Sequence, residues 1–463
     1  MNAIQNLFQH TPRFVRTSHL LLVLTGLSIV FCTSASTWAQ SRSKTEQKDS
    51  TTLGTIWKTT YDIPATGVTS DSSAALDKLF ISFLLKHQLP GATVAVGYEG
   101  KIIYERGFGF SDLERKIKMN PDSLLRIASI SKPLTGAAIA QLIDRDQLKL
   151  TDKVFDVLDF LPEYPKSTTP KPIEPDFKKI TIEQLLHHTA GFDRSASFDP
   201  MFRSSAVAKS FQKRLPINQM DIIGYMMSRP LDFQPGEKMA YSNFGYCLLG
   251  RVIEKISGQN YEEYVQEKIL HPVGADRTIL GRSLEGLRAK DEVKYYLRKQ
   301  NFTSSVVGGT KRVKAQYGSW NQEALDSHGG WISSASDLVR FASAFDNPNR
   351  SPLMSKSAID SVFAAPTYFK RTNQQRYYGF GWSIFKRDPA NKPNIFNAYH
   401  TGSLPGTSTI LVRRSDGFIW AVLFNCRDSV NGPSASGLID SLMHRAVSAS
   451  ATAGLVRVKP GQN

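Results

Sequence analysis

The sequence predicts a mixed α/β (α+β) fold in which one antiparallel sheet, flanked by helices, carries an inserted and mostly helical subdomain. Three observations predict it. A hairpin pattern stands near each end of the chain, an amphipathic helical pattern lies outside each hairpin, and helical periodicity dominates the long stretch between them. That order implies one sheet assembled from both termini, with a cleft where it meets the inserted part.

Taken in order, Met1 to His19 contain Arg13 and Arg16 and no acid, followed by an apolar run from Leu20 to Cys32 and small residues ending in Thr37-Trp38-Ala39. This is the layout of a secretory signal, and the run falls short of the ~20 residues of a spanning helix. Residues 1–39 are therefore read as a signal peptide cleaved before Gln40, with an uncleaved anchor as the alternative. The protein is expected to be exported, periplasmic or extracellular. Residues 40–69 are polar and read as a flexible linker.

The folded body, 70–450, opens with Leu76, Leu79, Phe80, Phe83 and Leu84 at helical spacing, ended by Pro90-Gly91. Two strands joined at Glu99-Gly100 come next. A helical subdomain over roughly 125–290 follows. The closing hairpin runs from Thr407 to Phe424 around Ser415-Asp416-Gly417, and a helical pattern from Ala435 to Val447 lies beyond it. Residues 451–463 read as a tail.

The 463 residues, 41% hydrophobic, suffice for a large packed core. The formal charge of +16 falls to +14 once the leader is removed. Such a field favours anionic surroundings: wall polymers, acidic lipid surfaces or carboxylate-bearing substrates. Cys247 and Cys426 each lie in an apolar run, so two buried, unpaired thiols are expected and cysteine catalysis is not.

The sharpest local signal is Arg126-Ile-Ala-Ser-Ile-Ser-Lys132, where Ser129 stands just before an Ala-rich helical run. Three residues on, Lys132 lies one turn away on the same face, so its amine can approach the Ser129 hydroxyl. A serine hydroxyl becomes a nucleophile when a base takes its proton, and a lysine serves if burial or positive neighbours depress its pKa. Ser-x-x-Lys alone is common. Here it is followed by Tyr241-Ser242-Asn243 in mid-chain and His400-Thr401-Gly402 before the last hairpin.

With those three motifs in that order, the chain resembles the serine β-lactamase and D-alanyl-D-alanine carboxypeptidase superfamily, with a Tyr-x-Asn motif like its class C branch. The resemblance covers roughly Pro90 to Asp428 and includes Ile180 to Gly191, Phe233-Gln-Pro-Gly236, Gly329 to Leu338 and Tyr378-Gly-Phe-Gly-Trp382. Arg126 to Lys132 and Tyr241 to Tyr246 are especially similar to the serine β-lactamase-like protein of mitochondria and its bacterial relatives.

The resemblance implies a β-lactamase/transpeptidase-like fold and a covalent acyl-serine route. Ser129 would be acylated, while Lys132 and Tyr241 exchange protons with it and with the leaving group. A phenol needs cationic neighbours to act as a base near neutrality, and Lys132 and His400 are the candidates. Asn243 would bind the acyl amide and help place Lys132, although it could instead cap the helix that follows. His400, Thr401 and Gly402 would line the substrate site, and the backbone amides of Ser129 and Ser403 would form the oxyanion hole.

His400 stands where most penicillin-hydrolysing members carry lysine, which makes selection for a substrate carboxylate less certain. His187-His188 is read as structural: adjacent side chains on a helix diverge, and no metal or cofactor motif is present. Expected substrates are a peptide-like amide, a β-lactam or an ester, with D-amino-acid peptidase or carboxypeptidase-like activity first. An esterase of the same fold and a non-catalytic binding module are the alternatives. No nucleic-acid partner is expected, cell-wall or membrane-surface association is compatible with the charge, and oligomeric state is open.

Overall fold

In a computed structural model, the described residues are 62–452 apart from 161–162, 166–175, 310, 367–374 and 387–395. The signal, most of the linker and most of the tail lie outside them. The chain divides into two units, Met1–Asp49 and Ser50–Asn463, and every described residue belongs to the second.

The large sheet has nine strands. In chain order they are β1 (Ala65–Thr66), β2 (Gly91–Tyr98), β3 (Lys101–Asp112), β4 (Ile117–Lys118), β5 (Arg376–Tyr378), β6 (Ser383–Lys386), β7 (Phe396–Leu404), β8 (Thr407–Arg414) and β9 (Phe418–Phe424). Their spatial order is β1-β3-β2-β9-β8-β7-β6-β5, with β4 paired to β3. The central pairing of β2 with β9 joins the two ends of the chain, with Ala95 opposite Ala421. Every pairing in the sheet is antiparallel. The mixed architecture predicted from the two hairpins is the one observed. The body starts earlier than residue 70, however, because β1 pairs with β3 and Ile63 is buried.

Both faces of the sheet are covered, so its central strands are apolar on both. On β9, Trp420, Val422 and Phe424 face one core together with Leu76, Phe80 and Phe83 of the helix Ala74–His87 and with Ile439 and Met443 of the helix Ala435–Thr452. Ile419, Ala421 and Leu423 alternate onto the other face, against the larger core that holds Leu338 and Ile127. Burial of each such side chain stabilises by about 1.5–3 kcal/mol.

The helix Ser131–Asp144 is buried on every side from Ser131 to Leu142, which its small residues permit. A Cβ on Gly136 would stand 2.2 Å from the Phe380 carbonyl oxygen, so only glycine fits there. A three-stranded sheet of Leu125–Arg126, Trp331–Ser333 and Ile279–Leu280 delivers the chain to this helix. The basic stretch from Arg282 to Lys314 contains buried Tyr295, and the Arg282 carbonyl, with that of Gln316, accepts hydrogen bonds from the buried Arg126 guanidinium. Cys247 and Cys426 are buried and unpaired.

Candidate active site

Ser129 lies in the 3-10 turn Ala128–Ile130 that leads into Ser131–Asp144. Ala128 holds a left-handed φ of 48° immediately before it, a conformation that costs a non-glycine residue about 1–2 kcal/mol. Surrounding bonds keep the turn in place. Ile127 N donates to the Trp331 carbonyl at 3.0 Å, while Thr407 and Thr409 of β8 donate to the Arg126 and Ile127 carbonyls at 2.9 and 3.0 Å.

Lys132, one turn on, is fully buried. Its Nζ stands 3.3 Å from Ser129 Oγ, 2.7 Å from Asn243 Oδ1 and 2.9 Å from the His328 carbonyl oxygen. Burial drives its pKa well below that of an ordinary lysine, the Arg194 charge pushes it the same way, and Asp199 opposes them. A neutral amine has two hydrogens and one lone pair; two oxygens outside the serine can take the hydrogens, leaving the lone pair for the Ser129 hydroxyl.

Asn243 is the first residue of the helix Asn243–Ser257, but the cap is Ser242, whose hydroxyl accepts from Gly245 N at 3.1 Å. The capping role open to Asn243 in the sequence is thus filled by its neighbour. Asn243 Nδ2 donates instead to Asp199 Oδ2 at 2.6 Å. Asp199, absent from the sequence motifs, caps the short helical turn Pro200–Phe202.

Tyr241 precedes that cap. Its ring lies beneath Lys132 Nζ at 4.8 Å and beneath the Arg194 guanidinium at 4.7 Å, each measured to the ring centroid. The phenol is buried and completes no hydrogen bond among the described residues. Burial raises its pKa above the ordinary tyrosine value, while Ser129 and Arg194 draw it partly back. The phenol is therefore protonated in the resting site. The sequence-based expectation of a cationic His400 beside it needs correcting.

His400 is buried on β7 between two fixed partners. Its Nδ1 lies 2.7 Å from the Thr401 carbonyl, which can only accept, so Nδ1 carries the hydrogen; Nε2 then accepts from the Tyr378 hydroxyl at 2.8 Å. Burial and the nearby Lys132 push its pKa down to about 3. It is a neutral member of the wall, not a cation. Gly402 packs on the turn that leads to Ser129, where an added Cβ would stand 2.1 Å from Ile127 O. Thr401 and Ser403 are exposed, and from His400 onward β7 pairs, among the described residues, only with β8, which leaves its other edge without a strand partner there.

The histidine pair divides its tasks. His187 Nδ1 bonds the Tyr378 carbonyl at 2.6 Å, and burial lowers its pKa to about 4. His188 accepts from Ser242 N at 3.2 Å and packs against the rings of Tyr241 and Tyr378 at 4.4 and 4.3 Å. Thus His188, Tyr378, Asp199, Arg194 and the His328 carbonyl complete the surroundings of the motif residues. Only Tyr378 and the two histidines stood in segments that the sequence singled out.

The fold is that of the serine hydrolases, and at its candidate site a serine hydroxyl stands beside a buried amine one helical turn away. The model of the Beta-lactamase family matches residues 76–442, and the chain belongs to that family. It is 30% identical over 344 residues to penicillin-binding protein 4* of Bacillus subtilis (strain 168), covering 74% of this chain and 69% of that protein. Its fold is similar to that of the D-amino acid amidase of Ochrobactrum anthropi SV3 complexed with L-phenylalanine amide, at TM-score 0.60 and 18% identity over 83% of this chain and 99% of the other. It is also similar to EstCE1, a hydrolase with promiscuous acyltransferase activity, at TM-score 0.61 and 17% identity over 81% and 98%.

Proposed function

We propose that the protein is an exported hydrolase of D-amino-acid peptides or amides that works through a Ser129 acyl-enzyme. The observation that carries the reading is Lys132 Nζ, fully buried, at 3.3 Å from Ser129 Oγ. In acylation the neutral Lys132 amine takes the Ser129 proton as Oγ bonds to the substrate carbonyl carbon. The backbone amides of Ser129 and Ser403 receive the oxyanion, the latter from the open edge of β7. As the tetrahedral adduct collapses, the protonated Tyr241 phenol gives its proton to the departing amine.

In deacylation, water attacks the ester carbon and yields its proton to the Tyr241 phenolate, while the Lys132 ammonium returns a proton to Ser129. Both bases end as they began. Asn243, held by Asp199, orients Lys132 and offers its amide to the substrate, and His400, Thr401 and Gly402 line the acyl site. The similarity to penicillin-binding protein 4* and to a D-amino acid amidase supports amide substrates. The neutral His400 and the similarity to EstCE1 favour an esterase as the second reading.

The test is intact-mass spectrometry after incubation with a fluorophosphonate and with a penicillin, beside Ser129→Ala, followed by assays on a D-alanyl peptide and a chromogenic ester. A Ser129-dependent adduct with D-alanyl peptide turnover is expected. Turnover of the ester alone would select the esterase, and absence of any adduct would overturn the hydrolase assignment to Ser129.

A further inference from the structure

Where most penicillin-hydrolysing relatives carry a lysine in the third motif, this site holds a histidine whose two nitrogens are both engaged and whose pKa lies at about 3. It supplies no fixed positive charge. On the loop that follows His187-His188, Arg194 lies over the Tyr241 ring, 4.7 Å from its centroid. Its side chain is 46% exposed, so its guanidinium is open to solvent as well as to the ring. Lys132, Tyr241 and His188 all feel its charge.

Its one ion-pair partner among the described residues holds it loosely. Asp199 Oδ2 lies 3.8 Å from Arg194 Nη1, while the same oxygen takes the much shorter 2.6 Å bond from Asn243. Donors of the guanidinium fork are therefore left over. The backbone that carries it is pinned: Asp193 accepts from Ser195 N at 2.9 Å and from Ala196 N at 3.2 Å, and pairs with Lys238 at 3.2 Å. Asp193 N in turn donates to Asp232 at 2.7 Å. A side chain on a fixed turn loses less freedom when it binds than one on a free loop.

We infer that Arg194 is a specificity-determining residue that pairs with a carboxylate borne by the substrate near the scissile carbonyl, in place of the missing lysine. This rests on the acyl-serine reading proposed above. A guanidinium presents paired donors that match the two oxygens of a carboxylate, and a partly buried site screens the pair less than water does. The preferred substrate is therefore an amide or peptide with a free carboxylate, over the same compound capped as an amide or ester.

The test uses Ser129→Ala protein, so that binding is read without turnover, titrated calorimetrically with N-acetyl-D-alanyl-D-alanine and with its C-terminal carboxamide. The parent should prefer the acid. Adding Arg194→Gln should weaken the acid by roughly 10–100-fold and the carboxamide far less, and Arg194→Lys should recover part of the loss. No preference in the parent, equal weakening of both compounds, or a lysine variant no better than the glutamine one would overturn the inference. Failure of the acyl-serine reading shows separately, as the absence of a Ser129-dependent fluorophosphonate adduct in protein with Ser129 intact.

Discussion

Asp199 Oδ2 accepts a hydrogen bond from Asn243 Nδ2 at 2.6 Å, and that contact decides which end of the Asn243 amide faces Lys132. A carboxylate only accepts, so the amide nitrogen turns to Asp199 and Oδ1 is left for the amine, 2.7 Å away. The carboxylate thus acts on Lys132 in two ways: through the orientation of Asn243, and through its own negative charge, which holds the amine's pKa up.

Removing Asp199 separates these effects. In Asp199→Ala, Asn243 can present its amide nitrogen to Lys132, so fluorophosphonate labelling should slow at least tenfold, roughly the 1.5–3 kcal/mol of a hydrogen bond to a charged group. With the anion gone, the pKa of Lys132 falls, and the rise of labelling rate with pH moves to lower pH. Rate measurements from pH 5 to 10 check both; slowing with a shift to higher pH would contradict this account.

Lys132 itself sits where burial opposes its charge. Among the described residues no acid is in direct contact with its buried amine, so it is held against a desolvation penalty. Lys132→Met should cut acylation by roughly 10²–10⁴-fold, the usual loss of a general base. Its melting temperature should change little, because relief of the desolvation penalty is offset by the two buried acceptors, Asn243 Oδ1 and the His328 carbonyl, that lose their donor. In the parent, the unfolded chain binds a proton that the folded amine does not between the depressed and ordinary pKa values. Stability therefore rises with pH across that window.

Four buried histidines predict the acid limb of stability. His187 and His400 are pushed down to about 4 and about 3, and His188 and His328 well below 6.5, all chiefly by burial. Each is neutral in the folded state and takes up a proton on unfolding. As pH falls below 6.5 each therefore removes about 1.4 kcal/mol per unit until its folded pKa is reached. Asp346, raised to about 6 by burial, works in the opposite direction between 3.8 and 6. Urea midpoints between pH 7 and 4.5 should fall; a flat profile would mean that the histidines are not buried neutral.

The Tyr378 hydroxyl is the donor that satisfies His400 Nε2 at 2.8 Å. Tyr378→Phe keeps the ring packed on His188 but leaves a buried acceptor bare, which should cost about 1–3 kcal/mol. Since His400 then lacks a donor, its pKa should rise from about 3 as water or a proton takes the place. Thermal unfolding of Tyr378→Phe, His400→Leu and the double variant tests this: if the two changes add without coupling, the bond contributes nothing.

The parts of this site that could be read from the sequence are those whose geometry is local. Ser129 and Lys132 share one helical turn, and Tyr241 precedes the helix that begins at Asn243, so spacing alone brings each pair close. Both hairpins were legible for the same reason, because a turn between alternating strands sets their register. Asp199, Arg194 and the His328 carbonyl carry no pattern: they stand 62 or more residues from Lys132 in the chain, and one of them is a backbone oxygen. His188 could be seen as a residue but not as the ring beneath Tyr241. The neutral state of His400 has no signal in the sequence, because burial, which sets it, is a property of the packed sheet.

A tight seam joins β7 to the turn that carries Ser129. Gly402 on β7 lies against the turn that carries Ser129, and a Cβ there would stand 2.1 Å from Ile127 O and 2.2 Å from Thr409 Oγ1. Neither neighbour can yield freely, since Ile127 O accepts from Thr409 Oγ1 at 3.0 Å and Ile127 N is tied to Trp331 O. Gly402→Ala must therefore push β7 away from the turn. The proposed oxyanion donors, Ser129 N and Ser403 N, sit on the two sides of that seam, so their spacing should widen together with the loss of packing. Overpacking of this kind costs about 1–3 kcal/mol, and losing alignment of one oxyanion donor slows acylation by roughly 10²–10³-fold. Measured well below the variant's melting temperature, labelling should fall far more than the folded fraction does; loss in proportion to unfolding would confine Gly402 to packing and detach it from the chemistry.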